Sequence, residues 1–205
     1  MPNIALECRD PADLSEEVSR LRQQVASLQA KVAELDELAH CDTLVPLFNR
    51  RGLVRSLDTM IARFERHGTP AAMLFIDLNG LKQLNDRFGH PGGDDALIHV
   101  AERLREGVRG NDCVARIGGD EFCVLLDNAD RKSAVETAER LVNQIADDEF
   151  MLSGTPVSLS VAIGITAVER GDTPSTVLAR ADQAMYRLKD AGLTTADLAK
   201  RVGTA

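Results

Sequence analysis

The chain has no basic excess. Its 24 Lys and Arg stand against 32 Asp and Glu in 205 residues, a net charge of −8 and a pI near 5.0. That excludes broad nucleic-acid binding, which needs a basic face. It does not exclude binding one nucleotide, because carboxylates hold metal ions and the ions hold phosphates. Cysteine is sparse: Cys8, Cys41, Cys113 and Cys123 form no C-x-x-C pair, and none stands at zinc-ligand spacing from a histidine. Buried free thiols and a cytoplasmic setting are expected. Long apolar runs are missing too. The longest, Leu159 to Val168, is interrupted by Ser160, Gly164 and Thr166 and is too short to span a bilayer. The first ten residues carry charges and hold no apolar leader core. No internal repeat or low-complexity tract is visible. With 44% hydrophobic residues, the chain has enough apolar material for a buried core.

The first forty residues have their own pattern. Leu14, Val18, Leu21, Val25, Leu28, Val32 and Leu35 recur with alternating gaps of four and three, an a/d heptad seam with Val at a and Leu at d. That choice favours a parallel two-stranded coil. Across such a coil Glu17 would face Arg22 and Lys31 would face Asp36, with Gln24 and Gln29 neutral between them. Exposed pairs of this kind are worth only ~0.5 kcal/mol each, so they set register more than stability. Pro11 marks the expected helix start, with Asp10 or Asp13 as cap. The alternative is an amphipathic helix lying on its own domain, for which a strict a/d stripe is narrow. The expected organisation is a dimerising coiled-coil stalk over 1–40, a globular domain over 41–193 and a tail over 194–205.

Beyond residue 40 the pattern alternates. Residues 50–67 read as a helix ending at Gly68, and Ala71 to Asp77 as a buried strand. Helices follow around Gly80–Phe88 and Asp94–Val108. Two apolar runs flanking Gly118 and Gly119 signal a hairpin. Then come an amphipathic helix from Ser133, an alternating strand over 157–168, and a last helix from Pro174 stopped at Gly192. The order β-α-β-β-α-β with extra helices predicts an α+β, ferredoxin-like fold with an antiparallel sheet.

Several residues are placed for chemistry. Gly118 and Gly119 let a ligand approach a turn that Asp120 and Glu121 follow at once, and adjacent carboxylates are costly to bury without a cation. Asp77 ends a buried strand, which fixes it at the mouth of the loop Asn79-Gly80-Leu81-Lys82. That loop runs into a helix N-terminus suited to an anion. Asp77 and Asp120 on neighbouring strands can share a divalent ion, and oxygen ligands favour Mg²⁺ or Mn²⁺. Asn85 and Asp94 offer an amide and a carboxylate, the pair that reads guanine and rejects adenine. Taken singly, each has a plainer role: a solvated acidic turn, a helix-end amide, an N-cap. Lys189 alone would be a surface charge near a helix C-terminus, and His90 a structural hydrogen-bonder.

Together the motifs are specific. Phe75 to Leu97, Ala115 to Phe122, Ser160 to Thr166 and Ala179 to Gly192 resemble the successive motifs of the GGDEF diguanylate cyclase family, in its order and at its spacing. The likeness runs from Cys41 to Leu193 and includes an opening D-x-L motif at Asp42. It implies a nucleotidyl-cyclase or palm-like version of the fold. It also implies an enzyme that joins two GTP into cyclic di-GMP with release of pyrophosphate, working as a homodimer of half-sites. Asp77, the Leu78 carbonyl, Asp120 and Glu121 would hold two metal ions. Asn85 and Asp94 would read guanine. The Asn79–Lys82 backbone, Gly118, Gly119 and Lys189 would hold the nucleotide. Arg109 and Asp112, an R-x-x-D that by itself reads as a polar turn, resemble the family's inhibitory product site, with Arg140 as a second arginine.

The sequence also departs from the family. Leu193 stands where an arginine usually contacts phosphate, Asn79 replaces a common Asp, and Val45 and Pro46 replace Thr and Gly. The substitution at 193 motivates an alternative, a receptor for cyclic di-GMP or GTP that has lost turnover. The forty residues before the globular domain are expected to hold the stalk and not a sensor domain. A regulatory protein acting at the stalk is a further expectation.

Overall fold

The computed structural model describes residues 11–190, which fall into two units divided between Ala39 and His40. The expected cap Asp10, the tail 194–205 and Leu193 lie outside the described residues.

In the first unit the chain is helical. Helix α1 spans Pro11–His40, starting at the proline that pre-sets helical φ. Leu14, Val18, Leu21, Val25, Leu28, Val32 and Leu35 are all exposed along it, from 43% at Val18 to 65% at Val32. Arg20 is ion-paired to Glu17 within the same helix at 2.8 Å.

The second unit holds the remaining elements: α2 (Arg50–His67), β1 (Ala71–Leu78), α3 (Leu81–Glu106), β2 (Cys113–Arg116), β3 (Glu121–Asp127), α4 (Arg131–Asp147), β4 (Phe150–Leu152), β5 (Thr155–Val157), β6 (Val161–Ala167) and α5 (Pro174–Asp190). The main sheet has the order β2-β3-β1-β6 with every pairing antiparallel, the ferredoxin-like arrangement expected from the element order. Side chains alternate across β1. Ala72, Leu74, Ile76 and Leu78 face α3 and α4, while Ala71, Met73 and Phe75 face α2 and α5. Each large side chain sealed in these layers, such as Phe122 or Leu57, contributes about 1.5–3 kcal/mol of burial free energy. Asp77 follows Phe75 on the α2–α5 side, as do Glu121 and Cys123 on β3. Cys113 and Cys123 are buried free thiols, and Cys41 is half-buried.

Two local features differ from the sequence reading. The two helices expected at 80–88 and 94–108 form one run with a kink at Gly89, where φ is 75° and ψ 171°. Glycine tolerates that φ, and Pro91 two residues later suits the restart of a helix. The alternating stretch over 157–168 is not one strand. Val157 closes a separate β4–β5 hairpin, whose turn residues Ser153 and Gly154 both have positive φ, and β6 begins only at Val161.

Candidate active site

The site forms where β1, the β2–β3 turn and α5 meet. Asp77 pairs in register with Glu121 on one side and Ala162 on the other. The Leu78 amide donates to the Asp120 carbonyl at 3.0 Å, and the Ile117 amide to the Glu121 carbonyl at 2.9 Å. The glycine turn is thus tied to the end of β1, bringing Asp77, Asp120 and Glu121 to one edge of the sheet. The Glu121 carboxylate lies back over the turn, and a Cβ at Gly118 would overlap its Oε2. Burial pushes the Glu121 carboxyl up, and the charges of Asp120, Asp77 and Asp182 push it further, with Arg50 acting the other way.

Lys189, the penultimate residue of α5, forms an ion pair with Asp77 through Nζ. The 112-residue separation shows how α5 completes the site. Asn79 is fixed by the residue just before β6: its amide donates to the Ser160 carbonyl at 2.9 Å and its Nδ2 to Ser160 Oγ at 3.2 Å. Gly80 then takes a left-handed φ of 76° and leads into α3 without a side-chain cap, so the Leu81 and Lys82 end of the helix keeps its anion-attracting amides. Asn85 and Asp94 come together across the Gly89 kink. The Asn85 carboxamide lies against Gly93, where any Cβ would overlap Oδ1, and exposed Asp94 is the next residue. Asp94 lies inside the helical run, so it is not the N-cap that its sequence position alone permits.

Asp77, Asp120, Glu121 and the neighbouring Leu78 carbonyl supply only oxygen donors, the set suited to a hard divalent cation. Among the described residues, no three His, Cys, Asp or Glu are already gathered as a cation cage. Asp77 is instead compensated by Lys189, and the excess negative charge around Glu121 is what a cation would relieve. The residues therefore fit a metal site in chemistry.

Sequence reasoning missed several residues that shape this edge. Arg116 donates to the Gly119 carbonyl from Nε at 3.2 Å and from Nη2 at 2.9 Å, and Nη1 donates to Asp42 at 3.2 Å. The same Asp42 oxygen accepts from the Leu44 and Val45 amides. Arg50, Glu121 and Asp182 line a cavity of about 610 Å³ between α2 and α5, together with Phe75 and Leu178. The signals were present in the opening D-x-L motif and in the arginine two residues before Gly118, but no spacing rule connects them.

At the other end of β2, Asp112 accepts from the Arg109 amide at 2.8 Å and from the Asp127 amide at 3.0 Å. Arg140 reaches from α4 to donate to the Gly107 carbonyl. The structure therefore brings Arg109, Asp112 and Arg140 to one corner. A cavity of about 360 Å³ beside it is lined by Cys41, Pro46, Phe48, Arg105, Arg109 and Asp112.

An edge of oxygen donors thus lies beside a bare helix N-terminus on an antiparallel βαββαβ sheet. The family described as diguanylate cyclase, GGDEF domain, matches residues 39–195. The chain belongs to that family. It is 36% identical over 179 residues to the diguanylate cyclase DgcP of Pseudomonas aeruginosa, covering 87% of this chain and 27% of DgcP. The crystal structure of diguanylate cyclase SiaD in complex with its activator SiaC, also from P. aeruginosa, matches with a TM-score of 0.74 at 28% identity, over 88% of this chain and 70% of that one. The coiled coil and GGDEF domain of DgcB from Caulobacter crescentus, in complex with c-di-GMP, matches with a TM-score of 0.80 at 24% identity, over 88% and 96%, and shows the shared fold. Among the described residues no helix is long and apolar enough to cross a membrane.

Proposed function

We propose that the protein is a metal-dependent diguanylate cyclase that condenses two GTP into cyclic di-GMP and two pyrophosphates. The observation that carries this reading is the register that sets Asp77 opposite Glu121, with Asp120 bonded to the end of β1. Asp77, the Leu78 carbonyl, Asp120 and Glu121 would hold Mg²⁺ or Mn²⁺, two per half-site, which when bound would neutralise phosphate charge. Asn85 and Asp94 hydrogen-bond the guanine edge. The uncapped start of α3 at Asn79–Lys82 and the glycines of the β2–β3 turn allow the phosphates close approach. Lys189, released from Asp77 when that carboxylate takes a cation, is free to meet a phosphate oxygen. Glu121 lies next to the acid cluster, where a carboxylate can orient or accept the proton of the attacking 3′-hydroxyl.

Each domain is one half-site, since both bonds of the product join a 3′-oxygen of one nucleotide to the α-phosphate of the other. The globular domain over 41–193 would be brought to its partner by a stalk over 1–40. The exposed seam of α1 supports a parallel coiled coil, which raises the effective concentration of the second half. The same helix offers a surface to a regulatory protein. Arg109, Asp112 and Arg140 would take the product as a feedback inhibitor, a reading supported by their common corner.

Incubation of the purified protein with GTP and Mg²⁺, with nucleotides followed by chromatography and Asp120→Ala in parallel, tests the activity. Cyclic di-GMP from wild type and none from the variant is the expected result. No product from wild type stripped of bound nucleotide would leave a receptor for cyclic di-GMP or GTP as the reading.

A further inference from the structure

We propose that Arg50 is a positioning residue for Glu121, its guanidinium acting across the α2–α5 cavity to hold the carboxylate against Gly118 beside the metal-binding edge. The inference rests on the cyclase reading above and adds to it a residue outside the nucleotide-binding motifs.

The case begins with what surrounds Glu121. Its side chain has no hydrogen bond or ion pair among the described residues, yet it is half-buried and lies over the glycine turn. Three carboxylates, Asp120, Asp77 and Asp182, bear on it with like charge, and Arg50 is the opposing one. Asp77 already has Lys189. Left to these repulsions, the Glu121 side chain would turn outward to water. Arg50 and Asp182 line the same cavity as Glu121, and its walls of Phe75, Ile117 and Leu178 reduce screening between the charges.

Arg50 is well anchored for such a role. It is the first residue of α2, directly after Asn49, which caps the helix by accepting from the Arg51 amide at 2.8 Å and the Gly52 amide at 3.1 Å. Asn49 also donates from Nδ2 to the Cys41 carbonyl at 3.0 Å and from its amide to the His40 carbonyl at 2.8 Å. One residue earlier, Phe48 is stitched to β2: its amide donates to the Val114 carbonyl at 3.1 Å, and the Arg116 amide donates to the Phe48 carbonyl at 2.8 Å. The backbone that carries Arg50 is therefore bonded to the strand that leads into the glycine turn. A flexible side chain on a fixed base, next to an unpartnered catalytic carboxylate, sets where that carboxylate rests.

The test compares wild type with Arg50→Ala, Arg50→Lys and Arg51→Ala. Arg51 neighbours Arg50 but does not line the cavity shared with Glu121. Two readouts are taken: steady-state kcat and KM for GTP, and Mn²⁺ affinity of the metal-free protein by electron paramagnetic resonance. Arg50→Ala is expected to lower kcat roughly tenfold to hundredfold, because a misplaced group at the reacting centre is costly while nucleotide contacts persist. Its KM for GTP should stay within about threefold of wild type. With Glu121, one of the proposed ligands, turned away from the edge, Mn²⁺ binding should also weaken by about threefold or more. Arg50→Lys should restore the Mn²⁺ affinity and part of kcat, and Arg51→Ala should match wild type in both. The proposal is overturned if Arg50→Ala leaves Mn²⁺ affinity and kcat unchanged, or if Arg51→Ala reproduces its losses. A wild type that makes no cyclic di-GMP would instead defeat the cyclase reading, and the Mn²⁺ comparison would still decide the role of Arg50.

Discussion

Arg116 joins Asp42 to the carbonyl of Gly119, so one guanidinium connects the segment before α2 with the glycine turn of the active site. Both side chains are largely buried, at 14% and 18% exposed, and Asp42 also organises its own loop through the Leu44 and Val45 amides. The turn that presents Asp120 is therefore held by a residue on its own strand and braced from outside it.

Removing that brace should affect both fold and catalysis. Arg116→Ala leaves Asp42 half-paired and the Gly119 carbonyl without its charged donor, a loss of about 1.5–3 kcal/mol for hydrogen bonds to a charged group. Chemical denaturation should show a fall of that order. The kcat should drop by more than the KM for GTP rises, because Asn85 and Asp94, the residues proposed to read guanine, are untouched. Unchanged kcat in a destabilised variant would show that the brace serves the fold alone.

Gly93→Ala probes nucleotide recognition through space. The new Cβ would overlap Oδ1 of Asn85, so the carboxamide must leave its place against Gly93. Losing one recognition hydrogen bond costs about 1 kcal/mol or more, and KM for GTP should rise roughly fivefold or more. Discrimination against ATP should weaken with it. Competition binding with GTP and ATP measures both. Wild-type affinity and selectivity in this variant would remove Asn85 from guanine recognition.

The ion pair that closes the loop between β6 and α5 makes a pH prediction. Arg180 donates to both oxygens of Asp172, at 2.6 and 2.8 Å, and also to the Ala167 carbonyl and Thr166 Oγ1. Burial acts to raise the Asp172 carboxyl, but hydrogen bonds from Arg180, the Glu169 amide and Thr176 outweigh it and hold it below its ordinary value. A depressed folded-state pKa gives stability that is present above the unfolded value, near 3.9, and is lost as pH falls through the folded value. Asp172→Asn should therefore lower Tm at pH 7 by more than it does near pH 2.5. An equal Tm gap at both pH values would contradict the assignment.

These contacts explain what was and was not legible in the sequence. Local patterns were readable: the a/d seam of α1, the hairpin around Gly118 and Gly119, and the apolar run of β1 each follow from a period or a turn signal within a dozen residues. Family likeness then gathered Asp77, Asn85, Asp94, Asp120 and Lys189 into one site, and the structure puts Asp77, Asp120 and Lys189 on one edge. The supports around them were not readable. Arg116 meets Asp42 across 74 positions, and Arg50 lines the same cavity as Glu121 only because α2 lies on that side of the sheet. No periodicity encodes such pairs. The β4–β5 hairpin was missed for a different reason: three-residue strands, one with Pro156 inside it, carry no alternation to detect.

The stalk gives the most direct test of the half-site proposal. Seven seam residues of α1 are exposed, Leu28 at 62% among them. A helix with its whole apolar stripe in water gains by pairing that stripe with a second copy, because burying one Leu contributes about 1.5–3 kcal/mol. Leu28→Asp replaces that gain with charge on both strands at one d layer, where the two carboxylates would oppose each other. The dimer dissociation constant, measured by analytical ultracentrifugation, should rise at least about hundredfold, the equivalent of roughly 3 kcal/mol. Specific activity should fall at low protein concentration and recover as concentration rises, since the acid edge at Asp77, Asp120 and Glu121 is unaltered. A constant specific activity across that range in a proven monomer would rule out the need for two facing half-sites held by the stalk. A loss that no concentration restores would place Leu28 in a role beyond bringing the halves together.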